Sequence, residues 1–172
     1  MKIEHDVKLD FSDVLIRPKR TILSSRSEVD LEREFKFPHS PFKWKGIPII
    51  AANMDTTGTI EVMKSMSQHK LLTCLHKFYT LENYSNLSDE EQYWSIISTG
   101  IGKYDFKKLL SILNMREQRN SDLINIVCVD VANGYMQDIV VFCQKLRGLY
   151  PKIVLIAGNV ATREMTEELI IN

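Results

Sequence analysis

The feature that most constrains what this chain can fold into is a strand of the buried type that stops at a polar tip and is followed at once by a helix. Residues 124–129 form a largely β-branched run, as a strand covered on both faces requires. The run ends at Asp130, and Asn133 with Gly134 then indicates a turn. Apolar residues follow at helical spacing, namely Ile139, Phe142, Cys143 and Leu146. This order predicts half of a parallel βαβ unit.

The same pattern of strand, tip and helix recurs along the chain from residue 46 onward. Strand-like runs are centred near residues 49, 73, 96, 127 and 155, with helical patterns between them. The third of these strands is predicted to begin at Tyr93 and Trp94. A repeat of about 25 residues is the cadence of parallel α/β folds. The runs stop at polar or glycine residues, namely Asn53, His76 with Lys77, Ser98 to Gly100, Asp130, and Gly158 with Asn159. A last helix is predicted after Thr162, whose side chain suits an N-cap.

Two parallel architectures compete for this pattern. A doubly wound sheet usually carries a glycine-rich phosphate turn after its first strand, but residues 53–58 contain no G-x-G-x-x-G sequence. A (β/α)8 barrel instead directs polar side chains from several strand ends toward one shared site, and is favoured here. A typical barrel needs roughly 250 residues, and the last helical pattern stops in mid-run. Residues 46–172 are therefore predicted to form an incomplete (β/α)8 TIM barrel, truncated before the sixth strand.

Residues 1–45 have a different character. Charged residues and prolines interrupt short extended pieces, and no periodicity is sustained. The segment is predicted to be an N-terminal arm that packs on the barrel. From the residues alone, its basic side chains are interpreted as a solvated edge; they include Arg17, Lys19, Arg20 and Arg26.

Composition and charge exclude several classes of function. Lys and Arg number 22, as do Asp and Glu, so the chain lacks the broad basic surface that nucleic acid or an anionic membrane would need. The first residues contain no apolar secretory segment, and no run approaches the roughly 18 apolar residues of a spanning helix. The three cysteines have no metal-ligand spacing and are interpreted as core thiols of a cytosolic protein.

Two strand tips carry charged residues suited to ligand binding. Asp130 is compatible with an Asx-type turn that includes Asn133, and also with a carboxylate that accepts hydrogen bonds from ribose hydroxyls. Lys77 is compatible with a solvated charge, and also with a phosphate or polar cofactor at a barrel mouth. Its neighbour His76 has the chemistry of a general base, but no carboxylate close in sequence would orient its ring.

The first and fifth tips offer contacts for a flat polar ligand. Asn53 and Asp55 can brace a turn, which leaves the polarizable side chain of Met54 to pack on a planar group. Asn159 provides a neutral donor and acceptor. No Ser/His/Asp or Cys/His catalytic set and no metal cluster can be assembled from the sequence.

Six short motifs run in order along the chain. They are residues 13–20 (DVLIRPKR), 49–56 (IIAANMDT), 76–77 (HK), 98–100 (STG), 130–135 (DVANGY) and 157–160 (AGNV). Together they closely resemble the GMP reductase branch of the IMP dehydrogenase/GMP reductase barrel family. The IMP dehydrogenase branch usually carries an inserted pair of domains between early barrel units, whereas here only a short segment separates Leu75 from Trp94. That branch also typically reads differently at the first and fourth strand tips.

This resemblance implies NADPH-dependent reductive deamination of GMP to IMP and ammonia, in purine salvage, by a homotetramer. In such enzymes a cysteine thiolate attacks C2 of the purine, ammonia leaves, and hydride arrives from NADPH. The resemblance assigns to the cofactor site Lys77, Asp130, Val131 and Ala132. It assigns Ser25 and Arg26 to the cofactor of a neighbouring subunit, and this replaces the solvated-edge interpretation of Arg26. Met54 and Asn159 are assigned to the substrate.

The chain also departs from the family pattern. The nucleophilic cysteine belongs to a glycine-rich loop after the sixth strand, so it is expected beyond Asn172, and none of Cys74, Cys128 or Cys143 matches it. Phe78 stands where the family commonly has His, next to Lys77. Residues 114–123 contain extra length, which is interpreted as a surface loop.

The 172-residue chain by itself is therefore expected to be catalytically inactive. It is also expected to fold poorly, because an open parallel sheet leaves an edge and an apolar face uncovered. Three other hypotheses remain open: a non-catalytic subunit that joins complete tetramers, a fragment without a function of its own, and a relative of IMP dehydrogenase.

Overall fold

A computed structural model describes residues 3, 5, 7, 9–120 and 122–172. The chain divides into two compact units, Met1–Asp30 and Leu31–Asn172. The first unit contains two short 3₁₀ turns, Phe11–Asp13 and Arg26–Glu28, each begun by a side-chain cap from the residue before it. The second unit holds all the strands and α-helices that are described. The packing of an arm on a barrel stays a prediction.

The second unit opens with a hairpin and continues as a parallel sheet. Strands β1 (Arg33–Lys36) and β2 (Lys43–Gly46) pair antiparallel. Five parallel strands then lie side by side in chain order: β3 (Ile50–Ala51), β4 (Leu72–Leu75), β5 (Ser95–Thr99), β6 (Ile126–Asp130) and β7 (Val154–Gly158). The helices are α1 (Ile60–Ser67), α2 (Leu81–Ser85), α3 (Asp89–Tyr93), α4 (Lys103–Arg119), α5 (Gln137–Leu149) and α6 (Arg163–Ile171).

The sheet is curled into a half-barrel, which confirms the predicted partial (β/α)8 architecture. Alternate side chains of each strand face the helices, as the pleat requires. The buried residues on this face include Leu75, Ile97, Val127 and Val129, and they pack with apolar helix residues such as Met63, Leu109, Ile139 and Leu146. The core therefore lies between sheet and helices, and the other face of the sheet is left to carry the polar tips. Among the described residues, no helix is long and apolar enough to cross a membrane.

One local prediction before β5 was wrong, and one hairpin was missed. Tyr93 and Trp94 were predicted to begin a strand, but Tyr93 ends α3 and Trp94 caps it. The decisive signal is the capping box, because Ser88 Oγ accepts from Glu91 N and Glu91 Oε2 accepts from Ser88 N. The β1–β2 hairpin was not predicted, since charged residues hide its alternation.

The predicted surface loop at residues 114–123 was also wrong over its first half, because α4 runs on to Arg119. Leu109, Ile112, Leu113 and Arg116 lie on one buried helical face. The arginine at the last of these core positions interrupts the apolar pattern. For this reason the final turns of α4 were not predicted from the sequence. Arg116 is accommodated because it donates to Ser95 Oγ (2.6 Å) and to Asn125 Oδ1 (3.5 Å).

Candidate functional site

The carboxyl ends of the five parallel strands meet at one edge of the sheet, here called the mouth. The residues that follow or end these strands are Asn53, His76, Lys77, Gly100, Asp130, Val131 and Asn159. Six of the eight predicted site residues therefore lie at the mouth or in its loops. Burial differs among them, because Asp130 and Val131 are half-buried while the others are exposed.

A hydrogen-bonded bridge crosses the mouth from the first parallel strand to the fourth. Asn53 Nδ2 donates to Ser98 Oγ (3.0 Å) and to Asp130 Oδ2 (2.8 Å). Among the described residues, Asn53 is the one hydrogen-bond partner of the Asp130 carboxylate, which leaves Oδ1 for a ligand. An Asx turn does form here, but it uses Asn133, whose Oδ1 accepts from Tyr135 N (3.0 Å). The Asp130 carboxylate takes no part in that turn, since among the described residues its partner is Asn53.

Backbone hydrogen bonds join the tips of β6 and β7. Val131 N donates to Gly158 O (2.9 Å), and Asn159 N donates to Val131 O (2.8 Å). Gly134 N then donates to Asn159 O (2.9 Å). A Cβ at Gly134 would lie 2.4 Å from Asn159 O, so only glycine allows this approach. These three backbone hydrogen bonds are here called the clamp between β6 and β7. Ala132 and Asn159, which lie beside the clamp, are exposed to solvent.

The loop after β3 is closed by its own backbone, and this holds Met54 at the surface. Met54 O accepts from Thr57 N (3.1 Å) and from Gly58 N (2.7 Å). Gly58 O accepts from His76 N (2.9 Å), and a Cβ at Gly58 would lie 2.5 Å from Cys74 O. Met54 is 62% exposed.

Lys77 lies at the tip of β4 with its ammonium 5.8 Å from the ring centroid of Phe78. The Lys77 carbonyl accepts a hydrogen bond from the Lys108 ammonium of α4. Desolvation lowers the pKa of Lys108, Asp105 opposes that shift, and the nearby Lys77 charge adds to it. The positive charges of Lys77 and Lys108 therefore repel each other electrostatically.

The His76 side chain has a packing role at the end of β4. Its ring stacks on Tyr79 with centroids 4.1 Å apart and an angle of 9° between the planes. Its Nδ1 is buried without a hydrogen-bond partner among the described residues. Within the part of the chain that the structure describes, no carboxylate is hydrogen-bonded to this ring, so the geometry gives no support to a general base.

The three cysteines are free thiols in or beside the core. The neighbouring Cys128 thiol, together with burial, raises the pKa of Cys74. The interaction with Cys74 lowers the pKa of Cys128, against the opposing effects of burial and of Asp130. Burial raises the pKa of Cys143 to about 11. None of the three lies in a glycine-rich loop.

Two predicted cofactor residues, Ser25 and Arg26, lie in the first compact unit. Ser25 Oγ accepts from Ser27 N (3.3 Å) and shares a hydrogen bond with Ser27 Oγ (2.8 Å), which fixes the start of the second 3₁₀ turn. Arg26 is exposed. Their assignment to a neighbouring subunit's cofactor stays a prediction.

Sequence reasoning missed two polar contacts at the mouth. Asn53 was expected to brace its own turn, but backbone bonds close that turn and the amide reaches Asp130 instead. Tyr135 was not singled out, yet its hydroxyl accepts from Ala161 N (2.9 Å) and donates to Thr162 Oγ1 (3.2 Å). Both residues follow strands whose carboxyl ends meet at the mouth. That position in the sequence is the signal that could have predicted their contacts. Among the described residues, no group of three or more His, Cys, Asp or Glu side chains could hold a metal ion.

Comparison with known proteins identifies the family. Residues 8–172 match the sequence model of the IMP dehydrogenase/GMP reductase domain. The chain belongs to the IMP dehydrogenase/GMP reductase family. It is 48% identical to a GMP reductase of Klebsiella pneumoniae and 47% identical to one of Buchnera aphidicola, in each case over all of this chain and 49% of that protein. A GMP reductase of Vibrio vulnificus is 43% identical over 99% of this chain and 49% of its own length.

The structural comparison confirms the fold of the family. The inosine 5′-monophosphate dehydrogenase of Legionella pneumophila superposes with a TM-score of 0.71 and 23% identity, covering 94% of this chain and 47% of that one. At this identity the likeness concerns the fold alone. The chain spans about half the length of the curated family members it matches.

Proposed function

We propose that this chain is the cofactor-binding half of a GMP reductase, an oxidoreductase that converts GMP to IMP and ammonia with NADPH. Its setting would be purine salvage in the cytosol, and its assembly a homotetramer. The observation that carries the proposal is the Asp130 carboxylate at the mouth, held by Asn53 with one oxygen left for a ligand. The GMP reductases that match the whole chain support the choice of reaction.

The residues at the mouth fit a reduced dinucleotide. The free oxygen of Asp130 can accept hydrogen bonds from ribose hydroxyls, because a carboxylate is an acceptor only. Next to Asp130, Val131 is half-buried and Ala132 is exposed. The exposed ammonium of Lys77 can pair with a phosphate. Ser25 and Arg26 would contact the cofactor bound by a neighbouring subunit.

The bound cofactor would supply a hydride to purine C2, from which the amino group departs as ammonia. The residues of this chain would position the purine for that exchange. Met54, exposed on a closed turn, can pack on the purine plane. Asn159, fixed by the clamp between β6 and β7, can hydrogen-bond the substrate.

We further propose that the 172-residue chain alone does not turn over GMP. The proposed chemistry needs an accessible cysteine thiolate. Cys74 and Cys143 are buried with raised pKa values. Cys128 is half-buried and its interaction with Cys74 lowers its pKa, but it lies within β6 and not in the glycine-rich loop that carries the nucleophile of the family.

Cofactor titration tests the proposal. The chain is titrated with NADPH, and binding is followed by calorimetry and by NADPH fluorescence, for the natural sequence and for Asp130→Asn. We expect saturable binding by the natural chain and binding that is at least about tenfold weaker in Asp130→Asn, because a hydrogen bond to a charged acceptor is lost. Absence of NADPH binding at millimolar concentration would contradict the proposed cofactor site. NADPH oxidation by the chain in the presence of GMP would contradict its proposed inactivity. Preference for NAD⁺ and IMP would favour the IMP dehydrogenase branch.

A further inference from the structure

We propose that Asn53 is a positioning residue that aims the Asp130 carboxylate at the ribose hydroxyls of the cofactor. This inference rests on the proposed function. Both hydrogens of one amide nitrogen are used, since Asn53 Nδ2 donates to Ser98 Oγ at 3.0 Å and to Asp130 Oδ2 at 2.8 Å. The three side chains come from the tips of β3, β5 and β6, so the bridge spans most of the mouth.

The bridge holds Asp130 in one orientation before the ligand arrives. An aspartate at the end of a strand can turn its carboxylate, and a bound ligand must then immobilise it at an entropic cost. Asn53 fixes Oδ2, and Ser98 in turn fixes the plane of the Asn53 amide. Oδ1 is thereby directed away from the bridge, with no hydrogen-bond partner among the residues that the structure describes.

The chemistry of the bridge also preserves the charge of Asp130. A neutral amide donates to the carboxylate without neutralising it, whereas a lysine at this position would pair with it and an aspartate would repel it. Asparagine can serve both acceptors from a single nitrogen, and leucine has a similar size but no donor. Asn53→Leu is therefore the substitution that removes the bridge and preserves the volume.

The test is a double-mutant cycle in NADPH binding. Dissociation constants are measured by calorimetry for the natural chain, Asn53→Leu, Asp130→Asn and the double variant. We expect Asn53→Leu to weaken binding about five- to tenfold, the scale of one immobilised side chain. In the Asp130→Asn background the same change should alter binding by less than about twofold, because Asn53 acts through Asp130. Ser98→Ala should have an effect between these limits.

Asn114→Leu is the matched control. Asn114 lies on α4, and its Oδ1 accepts a hydrogen bond from Tyr150 OH (2.5 Å). The variant therefore also loses one amide hydrogen bond, but away from the mouth. Its NADPH affinity should equal that of the natural chain, and far-ultraviolet circular dichroism should verify that every variant is folded.

The outcomes separate the two proposals. Equal losses from Asn53→Leu in both backgrounds, or no loss in either, would overturn the positioning role while NADPH binding by the natural chain upheld the proposed function. A natural chain that binds no NADPH would overturn both.

Discussion

Arg116 shows how a single residue can be both concealed in the sequence and central to the packing. It is fully buried, and its guanidinium lies 5.5 Å from the ring centroid of Tyr84. Among the described residues, its hydrogen-bond partners are the neutral side chains of Ser95 and Asn125. Burial lowers the pKa of Arg116 to about 10, so the group still carries its charge at neutral pH. A planar fork with several donors suits this site, because one cation must serve two acceptors and a ring face.

At the residue scale we predict that Arg116→Lys lowers the free energy of unfolding by about 2 kcal/mol, the value of a hydrogen bond to a charged group. The lysine ammonium cannot reach Ser95 and Asn125 while covering Tyr84. Urea denaturation measures the change. Arg163→Lys is the control, because Arg163 is exposed. This substitution should change the free energy of unfolding by less than about 0.5 kcal/mol. Equal effects of the two substitutions would refute the role given to Arg116.

At the scale of elements, the mouth is organised by backbone bonds between strand tips. The β6 and β7 tips are joined through Val131, Gly158 and Asn159, and the turn after β6 returns to Asn159 through Gly134. These bonds need no particular side chain except where the backbones approach closely. Glycine at position 134 meets that requirement, since any Cβ would collide with the Asn159 carbonyl.

We therefore predict opposite effects for two Gly→Ala substitutions. Gly134→Ala should destabilise the chain by at least about 2 kcal/mol, because backbone must move to admit the methyl group. Gly148→Ala lies in α5 with no atom within 4 Å of the added Cβ, so it should stabilise by about 0.5–1 kcal/mol through helix propensity. Urea denaturation of both variants provides the comparison, and a neutral Gly134→Ala would disprove the clamp.

At the scale of the whole molecule, the parallel sheet has two outer strands and a concave face. The sheet begins with β3 and ends with β7. Ile50 and Ile156, on these two strands, are 46% and 38% exposed. Both alternate with residues that face the helices, so they belong to the concave face. An apolar face of this kind attracts other apolar surfaces.

We predict that the chain binds an apolar reporter dye through this face. Ile156→Lys should lower the dye fluorescence to about half or less, because a charge would then lie on the dye-binding surface. Val141→Lys, a change at a 51% exposed position on α5, should leave the fluorescence nearly unchanged. Circular dichroism should show the same helix content for all three chains. A similar loss in both variants would assign the dye to another surface.

Much of this organisation was predictable because each parallel α/β unit has a recognisable pattern within a short segment of sequence. The predicted strands that contain residues 126–129 and 154–157, and the predicted helix that contains Ile139 and Leu146, are confirmed, since β-branched runs and helical spacing act within one element. The wrong predictions have local causes as well. A capping box outweighed the strand-like pair Tyr93 and Trp94, and a buried cation interrupted the apolar pattern of α4.

The sequence by itself determined the type and order of the parallel units and the mouth at which their polar tips meet, because strand direction and chain order put those tips on one edge. Only the tertiary structure decided which tips touch. Asn53 is 77 positions from Asp130, and their hydrogen bond depends on how far the sheet curls between β3 and β6. Curvature is a sum over all the strands and helices between them, so no local pattern encodes it.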